Sequence, residues 1–382
     1  MDVSKENNSI INSKADEIIK VTKDLVVFLK KAACFYILFL FSFMSTASAR
    51  GLYRSYESMV VPGAYCGNGQ PYRVFFDKKG ASKWAFEFRP GGACWDKDSC
   101  FGAIPHAFPL FSPKRLLLRS IFSKRKLSRN FLANHSQVIF PYCTADVYAG
   151  THLAVYDDKE LYHYGRTNVE KSIALLIDKG VLDWSKVKDL FVYGSSAGAF
   201  GTLVHLPYFD EVIPEDAKDV KRTLIVDSAG LHFGATFWSK FTPEFREDFK
   251  DAFSRHGLKG GLDNGNLARF MPSVCYRYSH WNVGVIQGSQ DIIMSRFFGN
   301  ISPSDHEGLV FSDEGLYQAT LNSNNCSSWI SKSIYHAYLY FSPFRWKKID
   351  GVGPYKFSKR VYRGRTKRNF VSKSLKKAFD LN

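Results

Sequence analysis

Short apolar strands alternating with amphipathic helices predict an α/β fold: a mostly parallel central sheet with helices on both faces. Three observations carry this expectation. Runs such as Leu190–Tyr193 and Val283–Ile286 are apolar throughout, as strands covered on both faces must be. Thr167–Lys179 places Val169, Ile173, Leu176 and their neighbours on one helical face between two such strands, with Gly180 as a stop signal. The 382 residues, 45% hydrophobic and 23% charged, have the composition of a globular chain with a large core. No internal repeat or low-complexity linker divides it.

From the N-terminus, Lys30 and Lys31 precede the apolar run Ala32–Phe43, and Ala47-Ser48-Ala49 offers small residues where a signal peptidase cuts. Residues 1–49 therefore read as a secretory signal with a long n-region, an uncleaved anchor being the alternative. A mean hydropathy of −0.21 with one strongly apolar stretch excludes a multi-span membrane protein. Strands are then expected at Tyr72–Phe76, Lys83–Phe88, Gln137–Pro141, Leu190–Tyr193 and Leu224–Asp227 within a domain over residues 50–357.

The formal charge is +16, and it concentrates in an insert at 112–130 and in a tail at 358–382. Lys114, Arg115, Arg119, Lys124, Arg125, Lys126 and Arg129 supply the first cluster. Such a surface suits a polyanionic polysaccharide or an anionic cell surface. No zinc-knuckle spacing or aromatic RNA-binding motif accompanies it, so nucleic acid is not expected. The bland expectation is a solvated basic face and a frayed tail.

Removing the signal takes away Cys34 and leaves Cys66, Cys94, Cys100, Cys143, Cys275 and Cys326. An even number of cysteines in an exported chain predicts three disulfides, with Cys94 and Cys100 near enough for a local loop closure and the other pairings open. Metal binding is disfavoured because no Cys-x-x-Cys pair or His-x-x-x-His spacing occurs.

The chemistry centres on Gly194-Ser195-Ser196-Ala197-Gly198, a G-x-S-x-G motif after the apolar run Leu190–Tyr193. Small flanking residues permit the sharp strand-to-helix turn that exposes one hydroxyl, making Ser196 the candidate nucleophile. A tetrahedral oxyanion needs preorganised N–H donors. Ala197 offers one, and Gly92 and Ala93, in the Gly-Gly loop after Lys83–Phe88, offer two more. In α/β-hydrolases the acid and then the histidine follow the serine. Asp291 sits just past Val283–Ile286 and leads on position, with Asp227, Asp305 and Asp313 as alternatives. His306 and His336 both follow it, and spacing alone leaves the base open between them.

Together these pieces resemble the pectin acetylesterase and Notum family of secreted serine carboxylesterases. The likeness runs from about Gly63 to Phe357 and rests on Phe88-Arg89-Pro90-Gly91-Gly92-Ala93-Cys94-Trp95-Asp96, Pro141–Val147, His163–Asn168 and the elbow. The resemblance implies an acid at Asp291 and a base at His336. It also implies an acyl-enzyme mechanism without metal or organic cofactor. The implied substrate is an acylated polysaccharide carrying acetyl or another short acyl group. The sequence departs from the family at Gly198-Ala199-Phe200 and in the residues around the later histidine. A lipase, polyester hydrolase or lipoprotein deacylase is the alternative enzyme. An inactive hydrolase fold that binds a surface is the alternative of another class.

The motif separates its two serines. Ser196→Ala should cost at least about 10⁴-fold in ester turnover, whereas Ser195→Ala should stay within about tenfold of the unsubstituted chain. Initial-rate assays on p-nitrophenyl esters check this, and equal losses would contradict the elbow assignment.

Overall fold

The computed structural model describes residues 55–381 except 104–105, 108–109, 112, 114–119, 124–129, 214–216, 218, 257–264, 342–343 and 345. The expected signal at 1–49 and all seven basic residues of the insert lie outside the described residues.

Nine strands form one sheet in the order β1-β2-β4-β3-β7-β8-β9-β10-β11. These are β1 (Glu57–Tyr65), β2 (Pro71–Asp77), β3 (Lys83–Phe88), β4 (Ser136–Phe140), β7 (Asp189–Ser195), β8 (Lys221–Asp227), β9 (Trp281–Gly288), β10 (Cys326–Ser331) and β11 (Phe370–Val371). Pairing is antiparallel at β1–β2 and β2–β4 and parallel from β4 onward. A separate antiparallel hairpin joins β5 (His152–Tyr156) to β6 (Lys159–His163).

The helices are α1 (Lys97–Phe101), α2 (Gly165–Asp178), α3 (Ala197–Glu211), α4 (Pro243–Ser254), α5 (Met271–Arg277), α6 (Pro303–Val310), α7 (Leu316–Leu321), α8 (Pro354–Tyr362) and α9 (Lys373–Ala378). This is the α/β class that the sequence predicts, a mostly parallel sheet flanked by helices. The central strands β3, β4, β7 and β8 are buried almost end to end, which is why they read as continuous apolar runs rather than alternating ones. Parallel pairing puts their carboxyl ends along one edge, so β3, β7, β8 and β9 deliver their following loops to the same side.

The segment after Phe357 departs from the expected frayed tail. It completes α8, adds β11 beside β10 through Trp329↔Phe370 and Ile330↔Val371, and ends in α9 with Leu375 buried. Its apolar residues are spaced to face the core while Arg363, Arg365, Lys367, Arg368, Lys373 and Lys377 face solvent. The high charge density masked that spacing in the sequence. Within the insert, Phe122 is buried against Phe131, Phe191 and Tyr193, so the insert is anchored by its apolar residues.

Three disulfides form: Cys66–Cys143, Cys94–Cys100 and Cys275–Cys326. The first ties β1 to the loop after β4 across 77 residues, whereas the second closes only 6. Chain-entropy reasoning makes the long closure worth about 2 kcal/mol more than the short one. Removing the Cys66–Cys143 pair should therefore lower Tm more than removing Cys94–Cys100, with reduction of all three lowering it further. Calorimetry of the double Cys→Ser variants checks the order, and an unchanged Tm on full reduction would contradict it.

Candidate active site

Ser196 stands where β7 ends and α3 begins, in left-handed backbone at φ +57°. Its N–H donates to the Asp227 carbonyl at 2.8 Å, which fixes the turn to the neighbouring strand β8. The two glycines of the motif are required by close approach. A Cβ on Gly194 would meet the Gly198 carbonyl oxygen at 2.1 Å, and one on Gly198 would meet that of Phe88 at 2.1 Å. Ser195 points elsewhere: its hydroxyl donates to Asp227 Oδ2 at 2.5 Å inside the core.

The Gly-Gly loop reaches the same place from β3. Gly92, Ala93, Ser196 and Ala197 line one cleft, and Ala197, as the first residue of α3, has a backbone N–H with no intrahelical partner. Two tyrosines from the loop after β4 brace the Gly-Gly loop. Tyr142 donates its hydroxyl to the Gly92 carbonyl at 2.7 Å and accepts from Val147 N–H at 2.7 Å. The Tyr148 hydroxyl accepts from Arg89 N–H at 2.8 Å. Burial pushes both phenols well up in pKa, so they remain protonated. Asp146 between them holds Thr144, Tyr148 N–H and Gly165 N–H, stabilising a loop in which Ala145, Val147 and Tyr148 all have positive φ.

Asp291 follows β9 and is fully buried. Its Oδ1 accepts from the N–H groups of Ile293 and Met294 at 3.1 Å, capping a π-type turn over Ile293–Phe298. Its Oδ2 accepts from His336 Nδ1 at 2.7 Å and from Gln287 Nε2 at 3.2 Å. With Nδ1 held as the donor, Nε2 is left as the free lone pair, and that nitrogen is buried without a hydrogen-bond partner. Ser196 Oγ is not hydrogen-bonded to that nitrogen.

The other candidates have different work. His306 is buried with Nδ1 on the Ser289 carbonyl at 2.7 Å, and burial lowers its pKa. Asp305 caps α6 through Ser302, and Asp313 is exposed. Asp227 binds backbone rather than an imidazole. Among the described residues no group of His, Cys, Asp and Glu could hold a metal ion.

Beside Ser196 a narrow cleft is walled by Phe200, Phe233, Phe237, Trp238, Phe241, Phe245, Phe249, Met294 and Phe298. Most of this wall comes from the segment between β8 and β9, including α4. The aromatic residues of that segment are dense enough to mark an apolar surface, but their spacing gives no sign of which cleft they line. Lys240 lies over Trp95 at the rim, and burial lowers its pKa to about 8.

A serine at a strained strand-to-helix turn, a braced Gly-Gly loop and a later Asp–His pair on one sheet edge define an α/β-hydrolase. The family model for pectinacetylesterase matches residues 53–328, and this chain belongs to that family. Among curated relatives, the mouse palmitoleoyl-protein carboxylesterase NOTUM is 24% identical over 47% of this chain and 41% of its own length. Arabidopsis thaliana pectin acetylesterase 4 is 24% identical over 56% of this chain and 52% of its own length. The alignments thus span about half the length of these relatives. The structure of the Wnt deacylase Notum from Drosophila superposes with a TM-score of 0.57 at 19% identity, covering 84% of this chain and 97% of that one, which shows a shared fold.

The Asp291–His336 bond gives a direct test. Asp291→Asn should release or invert the imidazole tautomer and lower kcat by about 10²–10⁴-fold with little change in KM. His306→Gln should stay within about threefold of the unsubstituted rate, the size of an ordinary perturbation away from the reacting atoms. Steady-state kinetics on one ester checks both, and the reverse ranking would make His306 the base.

Proposed function

We propose that this chain is a secreted serine carboxylesterase that works through an acyl-enzyme. Ser196 Oγ attacks the ester carbonyl as His336 Nε2 takes its proton, and Asp291 holds the imidazolium that forms. The N–H groups of Gly92, Ala93 and Ala197 receive the oxyanion, and His336 returns the proton to the leaving alcohol. Water, activated by the same imidazole, then releases the acid. Three disulfides support export, since such bonds persist in oxidising compartments. Among the described residues no helix is long and apolar enough to cross a membrane.

The observation that carries the reading is the aromatic cleft opening directly onto Ser196, Gly92, Ala93 and Ala197. An ester carbonyl there lies between nucleophile and donors while its acyl chain enters the phenylalanine wall. A wall of seven phenylalanines, a tryptophan and a methionine suits a hydrocarbon chain of several carbons better than the single methyl of acetate. The relatives named as palmitoleoyl-protein carboxylesterases support that direction. A second reading, removal of acetyl from a polyanionic polysaccharide, is favoured by the net charge of +16 and by the pectin acetylesterase relatives.

A chain-length series separates the two. Each buried methylene is worth about 0.8 kcal/mol, so kcat/KM should rise about fifteenfold from p-nitrophenyl acetate to butyrate and continue toward octanoate. A maximum at acetate would favour the polysaccharide reading. Failure to hydrolyse any of these esters would contradict both.

A further inference from the structure

Asp227 ends β8 beside the elbow and is entirely buried. Both of its oxygens are filled by neutral donors. Oδ1 accepts from Tyr338 N–H at 3.2 Å and from the Ser228 hydroxyl at 3.0 Å. Oδ2 accepts from Leu339 N–H at 2.9 Å and from the Ser195 hydroxyl at 2.5 Å. Ser228 Oγ in turn accepts from Ala337 N–H at 3.0 Å. Three successive N–H groups immediately after His336 are thus tied to Asp227 or to its neighbour.

The same residue holds the nucleophile's turn. Its carbonyl accepts from Ser196 N–H at 2.8 Å, and its carboxylate accepts from Ser195. The tied backbone is unfavourable without these bonds, because Ala337 and Ser228 sit at φ +57° and +60°, where a Cβ is crowded by the backbone. A loop released from Asp227 has no reason to keep that path.

Resting on the esterase reading above, we infer that Asp227 is a positioning residue. It fixes the distance between His336 and Ser196 by tying the backbone that follows the base to the backbone that carries the nucleophile. Its hydrogen bonds go to the backbone and hydroxyls, whereas Asp291 holds the imidazole. This accounts for a buried carboxylate and for Ser195 in the elbow motif, neither of which the acyl-transfer chemistry uses directly.

Asp227→Asn tests this because the amide has the shape of the carboxylate but no second acceptor. Each oxygen faces a backbone N–H, so the amide must turn its NH₂ toward Tyr338 or Leu339 and lose that tie. With p-nitrophenyl butyrate, kcat should fall about 10- to 100-fold, the cost of a base misplaced by about an ångström, with KM within about twofold. In a His336→Ala background the same substitution should change the residual rate by less than about twofold, because a residue acting through the base adds nothing once the base is gone. Ser228→Gly, which removes the hydroxyl that links Asp227 Oδ1 to Ala337 N–H and suits the positive φ, serves if Asp227→Asn does not fold. It should lose about three- to tenfold in kcat with the same dependence on His336. An unchanged kcat in the folded variant, or an equal loss with His336 absent, overturns the inference. Absence of turnover by the unsubstituted chain overturns the esterase reading and this inference with it.

Discussion

The backbone of Ser196 is the constraint on which the site depends. A serine at φ +57° is unfavourable, and it persists because the parallel strands on either side determine where the turn can go. β8 supplies the carbonyl that receives Ser196 N–H, and β3 supplies the Phe88 carbonyl against which Gly198 packs without room for a methyl. The turn that lifts the hydroxyl out of the sheet also starts α3, so the N–H of Ala197 remains unspent at the helix N-terminus. Backbone strain, the proposed nucleophile and one proposed oxyanion donor are one local consequence of strand register.

Around that turn the sheet edge is organised by buried carboxylates that accept from backbone. Asp146 holds the loop after β4, Asp227 joins elbow to base loop, and Asp291 caps its own turn and binds His336. Glu87 on β3 receives the hydroxyls of Tyr193, Tyr340 and Ser120, and pairs with Arg89 at 3.3 Å. Burying a carboxylate is costly unless its lone pairs are filled, and each of these is filled by groups from a different segment. Loops that would otherwise be the mobile part of an α/β fold are thereby locked to one another, as a preorganised oxyanion site requires.

The central fold was legible because the strands β2, β3, β4, β7, β8 and β9 are apolar runs ended by turn residues, and such strands leave a strong local signal. β1 leaves no apolar run in the sequence because, at a sheet edge, only Val61 and Ala64 of its nine residues are buried. β11 and α9 were missed because their lysines and arginines dominate the composition around a few core-facing residues. The elbow was readable since its chemistry is contiguous. Asp291 and His336 lie 45 residues apart, and only the fold shows their contact. The aromatic wall and the bracing tyrosines were not legible, because each phenylalanine, Tyr142 and Tyr148 reads as ordinary core until the cleft is seen.

The central claim, that the Asp291–His336 pair activates Ser196, is tested most directly by covalent labelling. An activated serine attacks a fluorophosphonate at phosphorus, whereas an ordinary serine does not. Peptide mass spectrometry of the labelled, folded chain should find one adduct, on Ser196, and none when His336 is replaced by alanine. An adduct on Ser195 or another residue, or no adduct in a preparation that hydrolyses esters, would contradict the account.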